Sequence, residues 1–416
     1  MLAQGQYGQA TFASLDTFLK GTASNFTAVP SPTPMAWRSF EGAWYILDSL
    51  RLRPNLQLTL GFRSEFTNGW NEATGRASNY LFGANGVIET QPRVGHSVFT
   101  VNNAKFLPEP RVGLAWDTFG HNKTVVHAGF GLHNDLQDDL SFRLDQNAPF
   151  NTTLTLKNIP VASLSLARGA PLPAGGKIGP AGVQPNLFTP TVLSYMFKIE
   201  QQIEANTVLN VGYVGSHGYH EIVSIDANLP FPAICPAAPC PATLAAGTIF
   251  YPSGAPLSNP KLANTTSWFS EGNSSYNALE VDVNHRFSHG LQLRGVYTWS
   301  KSLDNGATLN SSVASNSPGF VMNPRNIRAD WGLSTFDVRH LAAINGTYEL
   351  PVGRGKHFLS SVSGWRDKLA GGWSVRGSKL SSLASPLRRS LDSIPRMTGI
   401  RATQCARRSI PISRAR

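Results

Sequence analysis

Apolar and polar side chains alternate residue by residue in segments that are joined in pairs by short turns, and this pattern most constrains the fold. In residues 56–66 the even positions are mostly apolar, whereas the odd positions are polar or small. Successive side chains of a β-strand point to opposite faces, but a helix needs apolar residues three and four positions apart. The segment is therefore predicted to be a strand with one apolar and one polar face.

Pairs of such segments recur along the chain, with short turns inside each pair and long connections between pairs. The short turns contain Arg53-Pro54-Asn55, Gly120, Glu204-Ala205-Asn206, Ser288-His289-Gly290 and Gly353-Arg354-Gly355-Lys356. The long connections, rich in Gly, Pro, Asn and Ser, span about 67–110, 133–190, 217–275 and 301–337. A soluble β-sandwich or propeller would have connections of comparable length at both ends. Short turns at one end and long loops at the other are typical of outer-membrane barrels.

Segment length and aromatic placement support the same fold class. A tilted strand needs about 9–11 residues to cross a bilayer, and the segments have about this length. Aromatic residues near strand ends could form an interfacial girdle; they are Trp44, Trp116, Tyr213, Tyr297 and Trp299. The chain is therefore predicted to be all-β, as an antiparallel transmembrane β-barrel of the outer-membrane type with about ten strands.

The charge of the chain is unevenly distributed. The net charge is +11, but ten basic residues and one acidic residue lie from Arg376 onward. A basic tail can bind nucleic acid or an anionic membrane. This tail shows neither strand alternation nor a helical face, so we expect no nucleic-acid partner.

The patterns divide the chain into three parts. Residues 1–36 are expected to be an irregular lead-in without a signal peptide, because residues 1–20 have no basic start and no continuous apolar core. Such a beginning suggests an N-terminal truncation or a misassigned start. Residues 37–375 are expected to form part of the barrel. Residues 376–416 are expected to be a basic tail of low order, because alternation stops after Val375, and our hypothesis is that this tail is out of frame.

No set of residues predicts an enzyme, a cofactor or a metal site. His217 and His220 are three residues apart and would face opposite sides of a strand. Asp337 and His340 have no serine in a nucleophile elbow to complete a triad. Asp304 lacks the spaced acidic ligands of a calcium loop.

Two of the three cysteines, Cys235 and Cys240, lie in one predicted external loop. A local disulfide is favoured in an oxidising compartment. A metal pair would lack further ligands of suitable spacing, and two free thiols remain the third possibility. Cys405 lies in the basic tail.

Several segments resemble the barrel of Oar-like TonB-dependent outer-membrane receptors. The resemblance extends over residues 37–375 and rests on the order of short motifs at 48–63, 108–117, 128–131, 213–218, 276–279, 297–302 and 336–340. It implies a barrel of about 22 strands with a plug in its lumen, in the outer membrane of a Gram-negative-type bacterium. It also implies coupling to the TonB-ExbB-ExbD system through a plug region absent from this chain, and uptake of a large solute that the sequence does not identify.

Polar side chains predicted to face the lumen are the best candidates for contacts with a plug or a solute. They are Arg63, Glu65, Arg111, Glu280, Asp282 and Arg294. A merely hydrated interior is the alternative for each of them. For the whole protein, the alternatives are a passive porin-like channel or a surface adhesin, and more weakly a soluble β-rich binding protein.

A run of about ten strands out of a barrel of about 22 strands would leave two unpaired edges. Lipid does not tolerate unpaired backbone groups. We therefore expect that this chain alone does not insert into a bilayer as a stable monomer.

Overall fold

The computed structural model of the chain is almost entirely built from β-strands. It describes residues 8–29, 32–136, 148–152, 154–163, 177–236, 245–287, 290–306 and 320–383. Residues 384–416, including Cys405, lie outside the described part, as do Cys240, Ser288 and His289.

The elements follow one another in a simple order. The first are β1 (Gln9–Thr11), α1 (Leu15–Leu19), β2 (Thr22–Ala28), β3 (Trp37–Arg38), β4 (Glu41–Arg53), β5 (Leu56–Thr67), β6 (Asn71–Glu72), β7 (Ala77–Asn79), β8 (Arg93–Gly95), β9 (Leu107–Asp117), β10 (Thr124–Asn134) and β11 (Leu154–Pro160). The remainder are β12 (Ala181–Val183), β13 (Thr191–Glu204), β14 (Thr207–Ile225), β15 (Ala233–Ile234), β16 (Ile249–Phe250), β17 (Thr266–Arg286), β18 (Leu291–Asp304), β19 (Gly332–Leu333), β20 (His340–Glu349), α2 (Trp365–Ala370) and β21 (Ser374–Leu383). Two short 3-10 turns lie at Val161–Ser163 and Ile327–Asp330.

Ten long strands form one antiparallel sheet. Their order is β4, β5, β9, β10, β13, β14, β17, β18, β20 and β21, and the short strands β12 and β19 join at its margin. Each long strand pairs with the next long strand of the chain, so the sheet is a meander. Among the described residues β4 and β21 each have one long neighbour, which leaves the sheet open at two edges.

The register gathers apolar residues on one face of the sheet. Leu60 of β5 lies opposite Val112 of β9, which lies opposite Phe130 of β10. These three side chains are 41%, 42% and 43% exposed. The predicted girdle residues Trp44, Trp116, Tyr213, Tyr297 and Trp299 share this face. We call it the apolar face and the opposite one the polar face.

Short turns lie at one end of the sheet, as Pro54 and Asn55 do between β4 and β5. The connection 350–373 between β20 and β21 is longer and includes α2. Residues 68–106, 135–190, 226–265 and 305–339 connect strands at the other end. We call the described parts of these four connections the loop assembly.

The buried core lies mainly in the loop assembly and not in the sheet. One cluster contains Trp70, Ala77, Val98, Val183 and Leu187. Two further clusters form around Ile88 and Val223. The long loops predicted from the sequence are therefore packed against one another, because apolar residues of distant connections meet there.

Three segments are more regular than the sequence indicated. The lead-in, expected to be irregular, contains β2, which pairs with β11, a strand more than a hundred residues away. Strand β21 does not break near Val375 but continues to Leu383, because β20 supplies a partner for its whole length. Strands β14 and β17 extend into regions predicted to be loops, where they pair with each other.

Candidate functional site on the polar face

All six residues predicted to face the lumen lie on the polar face. Arg63 and Glu65 belong to β5, and Arg111 belongs to β9, opposite Gly61. Glu280 and Asp282 of β17 lie opposite Gly212 and Asn210, while Arg294 of β18 lies opposite Asn284. The alternation of each strand thus predicts which face carries each side chain. Their contact with a plug or a solute stays a prediction.

Three of these residues meet around a carboxylate that the sequence did not single out. The Glu109 side chain is 2% exposed, and its Oε2 lies 3.0 Å from Nη2 of Arg111 and 3.6 Å from Nε of Arg63. Arg63 also donates to Oε1 of Glu65 at 2.6 Å. We call Arg63, Glu65, Glu109 and Arg111 the Glu109 cluster.

Two prolines explain why Glu109 has this position. Strand β9 pairs with β5 along its length from Leu107, but its pairing with β10 ends at Arg111. Pro108 and Pro110 have no backbone N–H, so they cannot donate to a ladder with β10. The backbone N–H of Asn134 in β10 donates instead to Oε1 of Glu109, at 2.9 Å.

The same prolines explain why the sequence analysis missed Glu109. They favour a loop, so the strand was predicted to begin at Arg111. The alternation itself could have identified Glu109, because it is two residues from Arg111 and therefore lies on the same face of the strand.

The remaining predicted residues lie nearer the short-turn end. Arg294 makes a two-pronged contact with Asp282, in which its Nη2 donates to Oδ2 at 2.7 Å and its Nε donates to Oδ1 at 3.1 Å. Glu280 lies across Gly212 from Lys198. No ion pair of Glu280 is found in the described part of the chain. The structure therefore forms two separate charged groups on the polar face.

A third acidic group is buried in the loop assembly and stabilises it. Burial would raise the pKa of Glu72, but hydrogen bonds from the backbone N–H groups of Arg76, Ala36 and Thr74 and from the Thr74 hydroxyl lower the pKa from 4.5 to about 2. The Arg76 guanidinium adds an ion pair at 3.2 Å. Glu72 therefore fixes the start of the connection 68–106 against the segment that precedes β4.

Cys235 is disulfide-bonded and 1% exposed. Its backbone N–H donates to the carbonyl of Thr248 at 2.9 Å. Its predicted partner, Cys240, lies outside the described residues, so the pairing stays a prediction.

The described residues contain no group of three or more His, Cys, Asp or Glu side chains placed to hold a metal ion. His217 belongs to the paired part of β14, and His220 stacks on Phe188 at 4.8 Å between ring centroids. No helix in the described ranges has both the length and the apolar character needed to cross a bilayer.

The sequence match decides the family. Residues 2–394 match the family model described as an outer membrane beta barrel domain. The chain belongs to this outer-membrane β-barrel family. Barrels of this kind turn an apolar face to lipid and a polar face to the lumen, and their long loops lie at the extracellular end. We therefore name the apolar face the lipid face and the polar face the lumen face. The predicted all-β barrel class and the outer-membrane location are confirmed.

Solved structures of larger outer-membrane proteins are similar to this outer-membrane barrel chain. The FrpB iron transporter from Neisseria meningitidis has 9% identity and a TM-score of 0.39, covering 76% of this chain and 32% of its own. The ferric-catecholate import receptor Fiu from E. coli K12 has 12% identity and a TM-score of 0.36, covering 77% and 33%. The outer-membrane transporter YddB from Escherichia coli has 12% identity and a TM-score of 0.38, and the match covers 86% of this chain and 47% of YddB.

The barrel chain spans about a third to a half of the length of these proteins. No curated protein matches it by sequence.

Proposed function

We propose that this chain forms part of the wall of a TonB-dependent outer-membrane receptor that takes up a large solute. The observation that supports the proposal most is the open ten-strand sheet with lipid-facing apolar residues on one side and charged clusters on the other. A small barrel would close with this number of strands. A wall that stays open at β4 and β21 fits a wider barrel of about 22 strands, whose lumen holds a plug.

The lumen face fits contacts with a protein plug. Arg63 and Arg111 are 36% and 46% exposed at their side chains, while their shared partner Glu109 is almost fully buried. Their guanidinium groups thus keep donors free on the lumen side while Glu109 holds them in place. Exposed arginines on a rigid strand can bind carboxylates of a plug domain with two hydrogen bonds each.

Energy coupling can be tested in the bacterium that encodes the chain. Deletion of the gene and deletion of tonB should abolish uptake of the same solutes from a panel of labelled nutrients. Uptake that is lost with the gene but persists without tonB would identify a passive porin-like channel and contradict the proposal.

A surface-binding role is the second candidate, and the packed loop assembly favours it. Two buried clusters within it and a third, shared with the end of β14, give this end of the sheet a defined shape, unlike a set of independent loops. Replacing residues 245–258, which include β16 and lie within one long loop, by a short glycine-serine linker would test this role. If the protein is an adhesin, attachment of cells to surfaces is lost while uptake is unchanged.

A further inference from the structure

A cleft of about 430 Å³ opens on the lumen face, where residues 334–339 of the loop assembly lie beside β18. Most of its lining surface is apolar, and polar groups come from hydroxyl-bearing residues, among them Ser216, Ser274, Tyr276, Thr298, Ser300 and Ser302. The register brings them together, because Ser216 of β14 lies opposite Tyr276 of β17, which lies opposite Ser302 of β18. The volume lies within the range of about 300–1,000 Å³ that is usual for small-molecule sites.

A β-bulge directs a carboxylate into this cleft. The pairing of β14 with β17 shifts between Tyr219 and Glu221, and His220 at the bulge has a φ of 58°. This left-handed backbone is uncommon for a residue other than glycine. Bulges are frequent beside functional sites, where they turn a side chain toward the site. Without the bulge, the alternation along β14 would place the Glu221 side chain on the lipid face of the sheet.

A glycine makes room for this carboxylate. A Cβ at Gly218 would overlap the carboxylate of Glu221 and the hydroxyl of Ser274. Ser274 Oγ donates to Glu221 Oε1 at 2.5 Å. The bulge, the glycine and the serine together hold the carboxylate at the wall of the cleft.

The opposite wall is apolar and is fixed to the sheet. Phe336, 51% exposed, lines the cleft together with Val338 and Leu341. The backbone N–H of Ser302 donates to Oδ1 of Asp337 at 2.7 Å, and Ser300 Oγ donates to the carbonyl of Val338 at 2.6 Å. An aromatic ring thus stands beside a set of hydroxyl groups on a rigid frame.

We propose that this cleft binds a neutral carbohydrate. Hydroxyls of Ser216, Tyr276 and Ser302 make no hydrogen bond within the described part of the chain, so they can pair with sugar hydroxyls. The Glu221 carboxylate can accept two more, and the C–H face of a pyranose packs against the negative face of the Phe336 ring. Polar groups that fix orientation beside an apolar wall are the usual composition of a specific small-molecule site.

Charge disfavours an anionic ligand. Glu221 lines the cleft, the buried Asp304 interacts with it electrostatically, and the buried Asp337 accepts the backbone N–H of Ser302, another lining residue. Arg339 pairs with Asp337 at 3.7 Å and offsets part of this charge. An acidic sugar or a phosphate would therefore meet net negative charge.

Saturation-transfer NMR on the full chain in lauryldimethylamine oxide micelles tests the proposal, because this detergent carries no sugar group. Maltotriose and cellotriose are the neutral probes, and trigalacturonate is the acidic one. We expect at least one neutral probe to bind and trigalacturonate not to bind. Glu221→Gln keeps the acceptor for Ser274 but removes the charge, so it should admit trigalacturonate.

Variants of the apolar wall separate binding from folding. Phe336→Ala should weaken binding of the neutral probe about tenfold, whereas Phe336→Tyr keeps the ring and should retain it. Thr347→Ala, on the lumen face but near the short-turn end, is the matched control and should bind as the wild type does. Absence of binding by both neutral probes, or equal binding of trigalacturonate by the wild type, would overturn the proposal.

The use of a lumen-facing sugar site rests on the proposed transport function, but the binding of sugar to the cleft does not. Trisaccharide binding with no TonB-dependent uptake would refute the transport function and leave the carbohydrate site in place. Uptake of other solutes without trisaccharide binding would do the reverse.

Discussion

The carboxylate of Glu109 accepts the backbone N–H of Asn134 at 2.9 Å, across a strand boundary where the backbone ladder has already ended. Pro110 lacks the N–H that would continue the ladder, and the side chain of the preceding residue supplies an acceptor for the N–H of β10 beyond the last ladder pair. The same carboxylate forms ion pairs with two arginines of the lumen face. Glu109 therefore binds both the backbone of β10 and the charged side chains of the lumen face.

Removal of the Glu109 charge should destabilise the wall measurably. Glu109→Gln leaves Arg63 and Arg111 without their shared buried partner, and we expect a loss of about 1–3 kcal/mol in the free energy of unfolding. The midpoint of urea unfolding in micelles measures it. The control Glu280→Gln, on the same face, should change stability by less than about 0.5 kcal/mol. Equal shifts for both variants would contradict a special role of Glu109.

The ion pair between Asp282 and Arg294 should contribute much less. Their side chains are 19% and 53% exposed, so water screens the attraction. A double-mutant cycle with Asp282→Ala and Arg294→Ala should give a coupling of at most about 1 kcal/mol. A coupling well above that value would show that the lumen is drier than this exposure implies.

The assignment of the two faces makes a directional prediction for β5. Leu60 lies on the lipid face and Thr59 on the lumen face. Leu60→Arg should cost about 2–4 kcal/mol in a bilayer, whereas Thr59→Arg should be tolerated. Heat-modifiable gel mobility in outer-membrane fractions of the bacterium that encodes the chain compares the two variants. A similar penalty for both would argue against a lipid-facing surface at Leu60.

Acid should loosen the loop assembly around Glu72. Its pKa is lowered from 4.5 to about 2, so the ionised form is favoured in the folded state. The stabilisation is complete above about pH 4.5 and is lost as the pH falls toward 2. Hydrogen exchange of residues 68–76, corrected for intrinsic rates, should rise over this range.

Glu72→Gln should abolish that acid-dependent rise in exchange. Glu89→Gln, at an exposed position in the same connection, should leave it intact. If the rise persists unchanged in Glu72→Gln, another group controls the acid response.

Alternation alone predicts much of the sheet because the order of apolar and polar residues within a strand assigns each side chain to the lipid face or the lumen face. It places Arg63 and Asp282 on the lumen face without any knowledge of their neighbours, since parity is a local property. Alternation fails to predict a strand whose own sequence is irregular but which is held extended by pairing with another strand. Strand β21 looks irregular after Val375, but its pairing with β20 keeps it extended.

The candidate sites were harder to predict because they depend on exceptions to the pattern. Glu109 lies between two prolines that conceal a strand, and its partners come from β5 and β10. Glu221 lies beyond a bulge at His220, where the parity count changes. The burial of Glu72 depends on backbone groups around Ala36 and Thr74, which no periodicity connects.

The separation of the buried clusters from the lipid-facing sheet divides the apolar residues between two environments. Those of the loop assembly, such as Trp70 and Ile88, must fit one another, so their shapes are constrained. Those of the sheet, such as Leu60 and Val112, need only dissolve in fluid hydrocarbon. The extracellular end should therefore evolve under the packing rules of a water-soluble domain, while the wall beneath it accepts almost any apolar exchange.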